Sequence, residues 1–287
     1  MLRVPSFRIR PGTFQCSRAL LSVVLLISGP VAAQVPQGMA AERTEYAAWL
    51  RTGAASPYSA VALQRIGPGI TLGATGSDIV LEGLPQVRIT ETGVRIALDS
   101  AGTSRILPRN RLTPLGAYHV LVAGATGRTT VTIFGSPRDV RAPEYFPWLR
   151  AGVDTVSLVP PPDRRSVTLL SPEGTDVEAG EAGTVVVTRF GAPVALRVRR
   201  FPGPTEDEGE LEIYFRDGTS GNGSYPAGRF VSLLPLGSGK YLLDFNRARN
   251  PFCAYSSVFP CPAPWPGNTI PARVEAGETY VAAVKPK

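Results

Sequence analysis

The chain has 287 residues, among them 30 Gly and 28 Pro, with 43% hydrophobic residues and a formal net charge of +7. That length allows one large or two small domains, and the many turn formers suit short strands joined by turns rather than long helices. Four arginines and no acidic residue fall in the first 33 positions, so the remainder carries only about +3, and its scattered arginines exclude a nucleic-acid-binding stripe or a docking surface for anionic membrane.

Residues 1–33 read as a secretory signal: Arg3, Arg8, Arg10 and Arg18 form a basic leader, Ala19 to Ile27 an apolar run, and Val31-Ala32-Ala33 a small-residue cleavage site before Gln34. The apolar run is too short to span a bilayer, so no membrane span is expected after cleavage. The protein is therefore expected to be periplasmic or secreted. A single helix is predicted over Ala41 to Leu50 within an N-terminal segment 34–57, because Tyr46, Trp49 and Leu50 share one face ahead of Gly53.

From Val61 the pattern changes to short β-type runs bounded by Gly, Pro or Asp: Val61 to Ile66, Ile70 to Leu72, Asp78 to Leu81, Gln86 to Thr90, Val94 to Leu98, Tyr118 to Val122 and Thr129 to Phe134. This spacing predicts a sandwich-like half over 58–140. Charge and two prolines interrupt it around Arg138 to Pro147. Strands resume at Ser166 to Leu170, Thr184 to Phe190, Val194 to Arg199, Glu210 to Phe215, Arg229 to Leu234, Lys240 to Phe245, Ile270 to Val274 and Tyr280 to Val284. The fold class is thus mainly β, two sandwich- or barrel-like halves with one short N-terminal helix, the second half covering 141–287. The basic Arg197, Arg199 and Arg200 are followed closely by Glu206, Asp207 and Glu208, as solvated strand ends and a turn would be.

Cys16 belongs to the signal, which leaves Cys253 and Cys261 as an even pair in an exported chain, expected to be disulfide-bonded. Reactive thiols are an alternative, and so is a metal site, but the single histidine, His119, lies on a strand run far from both and no metal ligand set is read. No cofactor is expected, since nothing resembles a P-loop or a dinucleotide fingerprint.

The stretch Arg216 to Glu278 concentrates polar residues in turns between apolar runs, as sites on β scaffolds do. Its motifs are Asp217-x-Thr219-Ser220-Gly221, Tyr225-x-x-Gly228-Arg229, Asp244-Phe245-Asn246-x-Ala248, Asn250-Pro251-x-Cys253-Ala254-Tyr255, Cys261-Pro262-x-Pro264, Asn268 and Ala276-Gly277-Glu278. In these the chain resembles the bacterial family catalogued as domain of unknown function 1684, strongly over Phe215 to Glu278 and more weakly from Trp49 through Phe146 to Trp148. It departs from that family's pattern at Asn222-Gly223, where a Lys-Glu pair is expected, and at Val153-Asp154, where a Tyr-Arg pair is expected. The resemblance implies no activity. The segment Ile66 to Gly83 is similar to the opening of forkhead-associated domains, but Gly73-Ala74 stands where their phosphate-reading Gly-Arg pair would be, so this resemblance implies a β-sandwich and no phosphopeptide binding.

Two roles fit the block on its own chemistry. Asp217, Thr219, Ser220, Tyr225, Arg229, Asp244, Asn246 and Asn250 can line a pocket for a small polar or anionic ligand, with the Arg229 guanidinium as a bidentate donor. Alternatively the same pocket serves a periplasmic hydrolase with Asp217 or Asp244 as general acid or base, although no catalytic residue is identifiable. Against both stands a structural reading, an envelope-associated module in which Asp217 caps its turn, Arg229 pairs with Asp244 or Glu278 as a buried strut, and Asn246 and Asn250 satisfy loop backbone.

Overall fold

The computed structural model describes residues 34–163, 165–203 and 209–281; the signal-peptide expectation at 1–33 lies outside the described residues. The N-terminal helix α1 (Gln37–Thr52) is longer than its apolar face required. It begins without a side-chain cap after Pro36 and ends where the Gly53 N–H closes on the Trp49 carbonyl at 2.7 Å. Met39, Tyr46 and Leu50 are its buried residues. Among the described residues no helix is long and apolar enough to cross a membrane.

Residues 60–134 build two sheets. The four-stranded one has the order β1-β9-β8-β7, with β1 (Ala60–Arg65), β7 (Thr113–Leu115), β8 (Tyr118–Ala123) and β9 (Thr130–Phe134). The five-stranded one has the order β3-β2-β4-β5-β6, with β2 (Ile70–Gly73), β3 (Ile79–Val80), β4 (Val87–Thr92), β5 (Arg95–Ser100) and β6 (Thr103–Ile106). Alternation places Leu72, Ile89, Ile96 and Leu98 on one inner face and Val120, Val122, Val131 and Ile133 on the other, and the two faces share one core. This is the expected sandwich.

The C-terminal half is an eight-stranded sheet, ordered β10-β16-β15-β14-β13-β12-β11 with β17 beside β14. Its members are β10 (Val153–Ser157), β11 (Ser166–Leu170), β12 (Asp176–Val187), β13 (Val194–Arg200), β14 (Leu211–Asp217), β15 (Arg229–Gly237), β16 (Lys240–Asp244) and β17 (Thr269–Ile270). The sheet does not close into a barrel. Leu196, Val198, Ile213, Phe215, Val231 and Leu243 form its main core, and Phe201, Tyr214, Phe230 and Trp265 a separate aromatic cluster. A third cluster, including Phe134, Phe252 and Phe259 with Trp49 against it, joins the two halves.

Several elements differ from the sequence expectations, among them β6 and β7, which no expected run covers. Of the run Thr184 to Phe190, Thr184 to Val187 is the end of a longer strand, β12, whose earlier part passes through a bulge between Glu181 and Gly183, and that polar opening hides the alternation. β10 occupies a segment read as loop because its only buried residue is Val156, an edge strand in a turn-rich stretch. The predicted strand Ile270 to Val274 shrinks to Thr269–Ile270. Tyr280 and Val281 are not strand, and the rest of that expected strand lies outside the described residues.

Candidate functional site

Arg229 opens β15 at the end of a sharp turn. Gly228 has a φ of 106°, and a Cβ there would stand 2.5 Å from the Phe215 carbonyl, so the turn needs glycine. The turn drives the guanidinium into the core, where the residue is 1% exposed. Its Nη2 donates to Asp217 Oδ2 at 2.6 Å and to the Val274 carbonyl at 2.9 Å, and its Nη1 to the carbonyls of Ala276 and Glu278. The rings of Phe146 and Phe215 lie 5.7 and 5.5 Å away. Burial pulls the Arg229 pKa down, opposed by Asp217. Asp217 spends its other oxygen on Thr219, accepting from the amide and the hydroxyl at 2.5 Å each, and Thr219 in turn meets Ser224. Ser220 accepts from the Asp217 amide at 3.1 Å. Asp217, Thr219, Ser224 and Arg229 therefore form a closed lattice that ties β14 and β15 to the Val274–Glu278 segment.

A second node sits on that segment. Gly277 has a φ of 77°, and a Cβ there would stand 2.6 Å from the Phe245 carbonyl and 2.7 Å from that of Ala248, which aims Glu278 inward. Glu278 is 1% exposed; its Oε2 accepts from the Asn250 amide at 2.8 Å and its Oε1 from the Tyr255 hydroxyl. Tyr46 of α1 extends the chain, donating to the Tyr255 oxygen at 3.2 Å. Burial raises the Glu278 pKa to about 7, against the pull of the Asn250 amide, the Tyr255 hydroxyl and the Arg229 and Arg249 charges. The Tyr255 hydroxyl is pushed up by burial and by Glu278.

The third node lies under α1. Asp244 Oδ1 accepts from the amide and the Nδ2 of Asn246 at 3.0 and 2.9 Å, and Asn246 also holds both the N–H and the carbonyl of Leu149 at 2.8 Å. This pins the Phe146-Pro147-Trp148 segment to the end of β16. From α1, Glu42 pairs with Arg247, and Arg43 donates to the Asn246 carbonyl at 3.2 Å while lying 4.0 Å over the Tyr145 ring. Burial raises the Asp244 pKa and lowers those of Arg43 and Arg247. Among the described residues, Arg43 Nε, Arg247 Nε and Asn250 Oδ1 are buried without a hydrogen-bond partner. The 3.3 Å approach of Arg247 Nε to Asp244 Oδ2 is close enough for ionic attraction but misses hydrogen-bond alignment.

The residues predicted to share a pocket are thus distributed. Asp217, Thr219, Ser220 and Arg229 meet in the first node, and Asp244 and Asn246 in the third. Asn250 joins the second, its Nδ2 on the Thr279 carbonyl at 3.0 Å. Tyr225 stands apart, its hydroxyl 3.3 and 3.2 Å from the sulfurs of Cys253 and Cys261, which form a disulfide with Cα atoms 5.4 Å apart. Neither cavity at the junction of the halves, one of about 430 Å3 and one of about 40 Å3, is lined by any of these residues. The sequence offered Asp244 or Glu278 as the carboxylate for a buried Arg229 strut, whereas the partner is Asp217, and it did not place Glu278, Tyr255, Tyr46 or Arg43 in the pocket. Glu278 and Tyr255 stand inside the motif block, whereas nothing in the sequence links α1 to it. Asn268 carries a backbone tie, bonding both the N–H and the carbonyl of Arg197 and the carbonyl of Tyr214.

Fold and site define a mainly β protein whose C-terminal sheet is organised around a buried polar lattice. Residues 143–279 match the family described as Protein of unknown function (DUF1684), and this C-terminal region of the chain belongs to that family. It is also similar to the solution structure of an uncharacterised protein of Haloarcula marismortui, at 31% identity, covering 49% of this chain and 77% of that one, with a TM-score of 0.42. No curated protein matches the chain.

Proposed function

We propose that the C-terminal half binds a small polar or anionic ligand on the edge that α1 covers, through Asp244, Asn246, Asn250, Arg43 and Arg247. Asp217, Thr219, Ser220 and Arg229 serve as its frame and Tyr225 braces the disulfide beside it. The observation that carries this reading is the pair of buried guanidinium Nε donors, on Arg43 and Arg247, left without partners around Asn246. A buried donor without a partner costs about 1–3 kcal/mol, so a ligand that brings acceptors to both meets groups that are already desolvated. Arginine stays charged in a protein, and an anion there offsets the burial that depresses both side chains. Ligand-observed NMR against a panel of mono- and dicarboxylates, phosphate monoesters and sugars tests it. A saturable binder should be weakened about tenfold by Arg43→Met. Binding indifferent to Arg43→Met and Arg247→Met, or no binder in the panel, leaves the structural reading of the block in its place.

The hydrolase alternative has one specific observation in its favour, at Glu278 rather than at an aspartate. A carboxyl raised to about 7 with a tyrosine hydroxyl on it has the pKa of a general acid or base at neutral pH. Asp217, by contrast, is held in a buried ion pair with Arg229. Turnover of an ester, phosphoester or glycoside that disappears in Glu278→Gln supports this alternative, and turnover that survives the substitution removes it.

The proposal also sets the protein in an oxidising compartment, periplasmic or secreted, after cleavage behind Ala33. Its support is the leader composition together with the Cys253–Cys261 pair. Intact mass of protein recovered from the cell exterior or periplasm should begin at Gln34; a mass that retains the leader contradicts it.

A further inference from the structure

The cavity of about 430 Å3 lies away from the polar lattice, and its size falls within the ~300–1,000 Å3 of small-molecule sites, which favour junctions between structural units. Both halves wall it: Leu63 and Arg65 of β1 on one side, Asp176 of β12 with Ser257, Val258 and Phe259 on the other. Its charge is unbalanced. Asp176 Oδ2 receives Arg65 Nη2 at 2.6 Å and Arg128 Nη2 at 3.2 Å, two guanidiniums on one carboxylate oxygen. The two arginine side chains are 56% and 49% exposed, so both keep donors free for a further acceptor.

The rest of the wall is mixed, with Gln64, Thr130 and Ser257 polar and a continuous apolar side at Val258, Phe259 and Pro260. Leu63 and Val258 are half-buried at the mouth, and Phe259, 4% exposed, lines both this cleft and the small cavity behind it. A cationic rim over an apolar floor is complementary to one kind of molecule. We propose that the junction cleft binds a small amphiphilic anion, a carboxylate- or phosphate-headed molecule with a short apolar tail, its head on Arg65 and Arg128 and its tail along Leu63, Val258 and Phe259. Ser257 to Pro260 lie inside the loop closed by Cys253 and Cys261, so the disulfide holds one wall in place. The arginines come from outside the family-matched region and the disulfide wall from within it, and the site needs both.

Calorimetric titration of the mature, disulfide-intact chain tests this, with octanoate and octyl phosphate kept below their micelle concentrations and with octyl glucoside and inorganic phosphate as comparisons. One or both octyl anions should bind with 1:1 stoichiometry, about tenfold or more tighter than either comparison. Which head binds distinguishes a carboxylate from a phosphate source. The double variant Arg65→Ala/Arg128→Ala should weaken binding about tenfold or more, and Ser257→Trp, which fills the cleft and leaves the arginines in place, should do the same. Arg95→Ala, an exposed arginine on the five-stranded sheet, should change nothing. No 1:1 binding of either octyl anion, equal binding of octyl glucoside, indifference to both cleft variants, an equal effect of Arg95→Ala, or binding to anionic vesicles only would each overturn the proposal. The seat under α1 is tested by its own variants, so either site can fail without the other.

Discussion

At the scale of single residues, the Asp217–Arg229 pair decides what kind of object the motif block is. Its side chains are 0% and 1% exposed, and Arg229 donates to Asp217 and to the carbonyls of Val274, Ala276 and Glu278. Removing one partner from such a pair strands a buried charge, which costs about 3–5 kcal/mol. Asp217→Asn should therefore lower unfolding free energy by roughly that amount in urea titrations; a loss under about 1 kcal/mol would mean that the pair is solvated and open to ligand. Glu278 makes a prediction of different form. Its folded pKa lies near 7, above the ordinary carboxylate value, so the folded state binds its proton more tightly than the unfolded chain does. The stabilisation is complete below the unfolded pKa and is lost as pH rises through about 7. Wild type should lose on the order of 3 kcal/mol relative to Glu278→Gln between pH 4.5 and 8. Parallel pH–stability curves for the two proteins would show that Glu278 does not titrate in that window. The sequence pointed to Asp217 and Arg229 because turn chemistry and a lone arginine at a strand start are local signals. It did not point to the raised pKa of Glu278, because burial sets it against the pull of the Asn250 amide and the Tyr255 hydroxyl, and that enclosure exists only in the tertiary fold.

At the scale of elements, the loop from Cys253 to Cys261 does several jobs at once. It carries Tyr255 to Glu278 and forms a wall of the junction cleft, and Phe252, which meets Trp49, directly precedes it. Closing a loop of separation 8 stabilises by about 2–3 kcal/mol on the chain-entropy model. Cys253→Ser/Cys261→Ser should lose about that much in chemical denaturation, and octyl-anion affinity should fall with it because Val258 and Phe259 lose their tether. Unchanged stability in the double variant would place the loop's order in its packing rather than in its bond. The pairing was legible in the sequence as an even pair of cysteines, and most strand centres were legible from alternation, as at Ile89, Leu98, Val131 and Ile133. The strands that escaped were β6, all of whose residues are exposed, β7, three residues with only Leu115 buried, β10, an edge with one buried side chain, and the bulged opening of β12. In each the period-2 signal is weak because burial on one face is partial or broken. α1 was legible as a helix, but its partner surface was not, since amphipathicity identifies a face and leaves its destination open.

At the scale of the whole molecule, the question is whether the two halves fold as one unit. Their junction has two components of unequal strength. The ion pairs Arg65–Asp176 and Arg128–Asp176 involve half-exposed arginines, and such pairs contribute about 0–1 kcal/mol. The apolar cluster is different: Phe134 of β9, 1% exposed, packs in one group with Phe252 and with Phe259 of the disulfide loop, and the Trp49 ring of α1 lies tilted against Phe252. Truncating a buried phenylalanine costs about 3–5 kcal/mol, and Phe134 sits in the cluster where Leu121 and Ala123 of the sandwich meet Phe252 and Phe259 of the other half. Each half keeps its own core, so the junction cluster is what makes unfolding of one half expose surface on the other. Calorimetry of the wild-type chain should show a single transition, and Phe134→Ala should separate it into two, with the sandwich transition moving furthest. The paired control, Arg65→Ala/Arg128→Ala, should leave one transition and shift it little. If Phe134→Ala only lowers a still-single transition, coupling runs through the backbone ties around α1 and not through this cluster. The cleft's two walls would then stay registered by α1 even in a chain whose apolar junction had been cut.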